Sequence, residues 1–172
     1  RPDERDHAAL RAAPMNRSGD PWEVVACDAA RWGVLEIAGP DAKTFLQGQL
    51  SSDVAALVPG KGGWTSYNSP KGRMLANGFV WQFPAGERYG FALSADIAEP
   101  VRKRLAMFVL RSKVTLVDAS PVMVRVGFGG PAAAAAIADL FDEAPAPGIV
   151  IERDAITIAG LPDGRFLLLI PA

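Results

Sequence analysis

One cysteine, one histidine and almost no net charge leave this 172-residue chain short of several kinds of chemistry. Cys27 on its own cannot form an internal disulfide or build a Cys-rich zinc or iron–sulfur site, and it fits a reducing, cytoplasmic setting. His7 falls in the opening twenty residues, a stretch of charge, Ala and Pro without a stable period that reads as a mobile arm. It supplies neither a catalytic triad nor a metal site there. Eighteen basic and nineteen acidic side chains give a formal charge of -1, so the whole molecule has no field to gather nucleic acid or anionic lipid, and neither is expected as a direct partner. No apolar run approaches the ~20 residues of a membrane span, and the Arg- and Asp-rich start lacks a secretory hydrophobic stretch.

What is present is a composition of 49% hydrophobic and 22% charged residues, ordinary for a globular fold. Val24 to Cys27 and Val34 to Ile37 read as short strands, and Gly39-Pro40 then starts a helix with Ala42, Phe45, Leu46, Gln49 and Leu50 on its inner side. Strands are expected at Trp64 to Asn68, Met74 to Phe83 and Tyr89 to Leu93. Val101, Leu105, Phe108 and Val109 recur at helical spacing, which places a second helix from about Pro100. Lys113 to Val117 and Val122 to Phe128 are strands, and Gly130-Pro131 opens an alanine-rich helix with Ala133, Ile137, Leu140 and Phe141 on one face. Ile149 to Ile151, Ile156 to Ala159 and Phe166 to Ile170 complete the strands. The apolar last run needs neighbours, and residues beyond Ala172 are expected to help bury it. Two βαβ-like passages separated near residue 120 predict an α+β fold: an arm over 1–20, a first sheet-and-helix unit over 21–119, and part of a second over 120–172.

Three segments carry a family resemblance. Leu35 to Asp53 contains a strand, a helix and a Gln47-Gly48-Gln49 turn; Tyr67 to Ala76 reads Y-N-S-P-K-G-R-M-L-A; Arg111-Ser112-Lys113-Val114 follows a helix. In order and separation they resemble the YgfZ branch of the glycine-cleavage T-protein superfamily, with 131–170 matching more loosely. The resemblance implies a T-protein-like folate-binding fold, tetrahydrofolate as cofactor, and an accessory role in iron–sulfur cluster assembly or repair, with iron–sulfur proteins as clients and an effect on iron–sulfur-dependent tRNA modification. The family's K-G-C-x-x-G-Q-E segment is not in this sequence, and Cys27, in a strand context, does not substitute for its cysteine. It is expected to be a packing residue.

Folate joins a flat pterin to a benzoyl ring and a glutamate tail, so its binder needs an apolar slot, polar groups for the pterin edge and cations for carboxylates. Residues 54–115 hold nine Lys or Arg against Glu87, Asp96 and Glu99. Lys71 and Arg73, two apart on an expected strand, would share one face and reach a carboxylate, or else form an ordinary solvated edge. The resemblance makes Tyr67 and Asn68 slot-lining residues, where Tyr67 can stack on the pterin or be a buried core tyrosine. Arg111 and Lys113 are further folate candidates that equally suit a helix C-terminus. Gln47, Gln49 and Asp53 form a second tier; Gly48 suits a left-handed helix stop, and Asp53 a turn cap.

No catalytic residue is expected. Where the family's aminomethyltransferases place an aspartate after paired glycines, this chain has Arg73-Met74-Leu75-Ala76-Asn77-Gly78, and no carboxylate occurs from Pro70 to Gly86. A folate-dependent aminomethyltransferase is the alternative reading. A dinucleotide-binding oxidoreductase module is a second alternative, because Gly127-Phe128-Gly129-Gly130-Pro131-Ala132 fits G-x-G-x-x-A before a helix, with Glu152 downstream.

Overall fold

The computed structural model describes residues 23–172, so the expected arm and His7 lie outside the described residues. Among the described residues, ten strands form two five-stranded sheets. The first in space is ordered β3-β4-β5-β2-β6, from Gly62–Asn68, Met74–Gln82, Arg88–Ser94, Trp32–Ala38 and Thr115–Asp118. The second is β1-β7-β10-β9-β8, from Val25–Asp28, Met123–Gly129, Phe166–Pro171, Ile156–Gly160 and Val150–Arg153. Helix α1 spans Ala42–Gln47, α2 Ala95–Ala106 and α3 Ala133–Phe141.

The period of two along each strand sends alternate side chains into different layers. Leu35, Tyr67, Ala76, Val80 and Phe91 face α1 and α2, where Phe45, Leu46, Val101 and Leu105 complete one core. Val34, Phe79, Trp81 and Ala92 face the other way and meet Val150, Ala159, Leu167 and Leu169 of the second sheet. Ile158, Phe166 and Leu168 take Ala133 and Ile137 of α3 on the far side. The order of layers is therefore helices, sheet, sheet, helix, and the α+β class is as expected.

Several expectations need correction. Every strand pair among the described residues is antiparallel, so there is no βαβ unit. Strand β1 pairs with β7 across about a hundred residues of chain, a partnership no local pattern announces. Helix α2 begins at Ala95, with Pro100 inside it; Ser94 precedes it and Asp96 lies in its first turn, both ordinary start features. On this helix Arg102 sits beside Glu99 at 2.6 Å and holds that carboxyl at about 2, well below its usual range. Leu140, expected on the inner face of α3, is 63% exposed. Gly48 is right-handed, at φ -80, and not a left-handed stop. Strand β10 is central, flanked by β7 and β9, and Phe166 to Leu169 are buried by the chain's own layers.

Candidate functional site

The sequence candidates do not gather in one place. Tyr67 is 3% exposed and packs in the helix-side core. Its edge lines a narrow cleft of about 220 Å³ with Gln49, Asn68, Arg104 and Phe108. That is smaller than the roughly 300–1,000 Å³ typical of small-molecule sites. Asn68 is exposed and its Nδ2 donates to Ser66 Oγ at 3.1 Å.

Lys71 and Arg73 stand on an exposed turn and not on a strand. Gly72 N donates to Ser69 O at 2.8 Å, closing a four-residue turn with Pro70 second and Gly72, at φ +76, last. Ser69 N donates to Arg73 O at 2.8 Å, so strand alternation does not set where either cation points. Arg111 and Lys113 are exposed past α2, where Lys113 N donates to Asp41 Oδ2 at 2.7 Å. Gln47 Oε1 accepts Ala55 N at 2.7 Å, and Asp53 Oδ1 accepts Ala56 N at 3.3 Å as the cap of the short 3-10 turn Val54–Ala56. Those contacts tie α1 to the chain that follows it.

A larger recess is lined by residues of four strands of the same sheet. Trp64 of β3, Asn77 of β4, Ser94 of β5 and Trp32 of β2 come from four adjacent strands and, with Arg31, line about 330 Å³. Register explains the convergence: Trp32 pairs with Ser94, and Ser66, two residues past Trp64 and so on the same face, pairs with Asn77. The two indoles have centroids 6.0 Å apart at 41°, and Trp64 is backed edge-on by Phe79 at 5.6 Å. Trp64 is 42% exposed. Ser94 Oγ donates to Asp96, and its lone pairs remain as acceptors. The Arg31 guanidinium and the Asn77 amide make no side-chain hydrogen bond with any described residue.

Such a groove can hold a flat heteroaromatic ring against indole, read its edge with an amide that both donates and accepts, and meet an anionic substituent with a guanidinium. Sequence reasoning passed over all five residues. Asn77 was the available signal, a polar residue inside the otherwise apolar run from Leu75 to Trp81. Cys27, expected to pack, is exposed on β1. No three His, Cys, Asp or Glu among the described residues cluster to hold a metal ion, and no described helix is long and apolar enough to cross a membrane.

The glycine-rich turn after β7 does not make a dinucleotide site. Strand β7 lies antiparallel to both neighbours, α3 does not return to a parallel strand, and Glu152 Oε1 accepts from Arg88 at 3.1 Å.

No family model matches the chain. Among solved structures, the glycine cleavage system aminomethyltransferase T from Bartonella henselae superposes with a TM-score of 0.78 at 19% identity, over 87% of this chain and 42% of that one. Heterotetrameric sarcosine oxidase from Corynebacterium sp. U-96 superposes with a TM-score of 0.56 at 16% identity, over 95% of this chain and 82% of that one. The chain has the fold of the glycine-cleavage T protein. In sequence it is YgfZ-like: the tRNA-modifying protein YgfZ of Photorhabdus laumondii is 27% identical over 158 residues, and that of Yersinia pestis 28% over 158 residues. Each match takes in 90% of this chain and 46% of the relative, so the chain spans about half the length of the curated relatives it matches.

Proposed function

We propose that the chain binds tetrahydrofolate and serves as a folate-dependent accessory in iron–sulfur cluster assembly or repair, acting through iron–sulfur clients on tRNA modification in the cytoplasm. The client role rests on the similarity to YgfZ. The folate reading rests on one observation above the others: two tryptophans, with an amide and a guanidinium that make no side-chain hydrogen bond with any described residue, converge on a recess of about 330 Å³ lined by four adjacent strands of one sheet. A pterin fits that set. Its ring lies against Trp64 and Trp32, its amide-like edge meets Asn77, and Arg31 stands at the rim for a carboxylate. Tyr67, Asn68, Lys71, Arg73, Arg111 and Lys113 are then at most peripheral. The lining of the groove contains no carboxylate, so the reading is binding without one-carbon transfer, and an aminomethyltransferase would need its acid or base from elsewhere.

The test is a tetrahydrofolate titration followed by tryptophan fluorescence, with melting checked in parallel. Trp64→Ala removes a half-exposed stacking platform, and an aromatic stack contributes about 0.5–1.5 kcal/mol beyond its area, so affinity should fall by about tenfold or more. Lys71→Ala and Arg73→Ala should stay within about twofold, as screened charges on an exposed turn do. Unchanged affinity in Trp64→Ala, with a loss in either turn variant, would return the site to the turn.

A further inference from the structure

The basic run Arg102-Lys103-Arg104 lies in the last turns of α2, and its three cations are not treated alike. Arg102 and Lys103 both reach Glu99, at 2.6 and 3.5 Å, as residues three and four apart on a helix do. Arg104 does not join them. It is half-buried, its Nε is shut off from solvent, and its guanidinium makes no hydrogen bond or ion pair with any described residue. The helix dipole favours a cation in the last turn, but it supplies no acceptor for that donor. A cation stripped of part of its water and left without a partner costs the fold more than a solvated or a paired one.

The cleft beside Tyr67 is where a partner for this cation can sit. Arg104 and Phe108, one helical turn apart, form one wall, and Gln49, Tyr67, Asn68 and Ser69 form the other; no carboxylate lines it. The polar groups of that wall have donors to spare. The Gln49 amide makes no side-chain hydrogen bond with any described residue, Asn68 Nδ2 has a second proton beyond the one given to Ser66 Oγ, and Ser69 Oγ accepts Arg73 N at 3.1 Å while keeping its own proton. Lys71 and Arg73, exposed and without an ion pair among the described residues, stand on the turn that leads away from Ser69. At about 220 Å³ the cleft is too small for a ring system with a tail, and it has room for a single oxyanion.

We propose that this cleft binds a dianionic oxyanion: a phosphate group, free or as the terminal monoester of a small molecule, held by the Arg104 guanidinium and the Gln49, Asn68 and Ser69 donors, with Lys71 and Arg73 on the adjoining turn. A lone carboxylate has two oxygens and one charge, which the guanidinium fork satisfies by itself. The further donors and the two turn cations answer to the additional oxygens and the second charge of a phosphate. The site is separate from the tryptophan groove and independent of the folate reading, since Tyr67 and Trp64 fall on opposite faces of one strand.

Calorimetric titration of inorganic phosphate, methyl phosphate and acetate at constant ionic strength tests this, with wild type, Arg104→Gln and the double variant Lys71→Ala, Arg73→Ala melted in parallel. Wild type should bind phosphate saturably in the millimolar range or below, at least about tenfold more tightly than acetate. Arg104→Gln should weaken phosphate by about tenfold or more, the loss of one charge-assisted contact, and the double variant by about two- to threefold, with a larger effect at low salt. Melting gives a second readout. Without anion, Arg104→Gln should melt no lower than wild type, because its charge has no partner to lose, whereas added phosphate should raise the wild-type melting temperature and leave that of the variant in place. Binding of methyl phosphate alongside phosphate makes a monoester the source, and its rejection makes the free ion the source. Saturating phosphate should leave tetrahydrofolate affinity unchanged. No saturable phosphate binding by wild type, undiminished binding by Arg104→Gln, or acetate bound as tightly as phosphate overturns the oxyanion site. Competition between phosphate and tetrahydrofolate would put both in one place and overturns a separate cleft.

Discussion

Replacing Gly90 with alanine is expected to destabilise the protein by about 3 kcal/mol or more, at the upper end of what overpacking a core costs. Gly90 sits on β5 directly opposite Trp81 of β4, and the Trp81 ring lies flat across it. A Cβ added at Gly90 would come within 1.9 Å of Trp81 Cζ2 and 2.2 Å of Cε2. Trp81 is fully buried between the sheets, so its ring has no solvent-side rotamer to move into, and the strands must part instead. For a protein of this size the loss corresponds to a melting temperature lower by roughly 6–12 °C. Trp81→Leu combined with Gly90→Ala should lose less than the two single losses added together, because shortening the ring removes the clash. A Gly90→Ala protein that melts within a degree or so of wild type would show that the sheet interface yields much more readily than its packing implies.

The strands were legible because their signals are local. β3, β4, β5, β9 and β10 fall within a few residues of their expected places, carried by β-branched and aromatic runs between Gly, Pro and Ser punctuation. Which strands pair is not a local property. Alternation of strand and helix suggested parallel crossovers, whereas each sheet is closed by antiparallel partners brought from far along the chain, such as β1 with β7 and β2 with β6. The start of α2 was misplaced because Pro100 was given the first-turn role that proline favours, although Ser94 and Asp96 already marked a helix beginning at Ala95.

The site was less legible, for a related reason. Tyr67 and Trp64 lie on opposite faces of one strand, and sequence does not say which face is sealed by helices and which carries the recess. Tyr67 turns out to be core. Trp64, whose neighbours Trp32 and Asn77 come from other strands, became a site residue only through register. Strand alternation would put the cations at 71 and 73 on one face, but Ser69-Pro70-Lys71-Gly72 is a turn sequence, and the turn breaks that period. The YgfZ-like resemblance survives these local errors because it rests on ordered segments, while residue roles depend on pleat and packing.

Phe79→Ala joins the two parts of this reading and carries the other large effect. Phe79 is fully buried, edge-on to Trp64 at 5.6 Å and near-stacked on Trp81 at 6.1 Å. Truncating such a side chain costs about 3–5 kcal/mol through lost transfer energy and the cavity left behind. The denaturant midpoint should fall accordingly, with the slope unchanged. Phe79→Leu keeps most of the volume and should cost less than about half as much. Binding should follow a different order from stability. Trp64 is fixed on one side by Phe79, so removing the ring frees the indole to turn and weakens tetrahydrofolate even at low temperature, where the variant is still folded; leucine lacks the flat edge and should recover stability better than affinity. If both variants bind tetrahydrofolate as wild type does while their stabilities fall, Trp64 is held by its own strand alone, and the aromatic contact behind it serves the fold and not the groove.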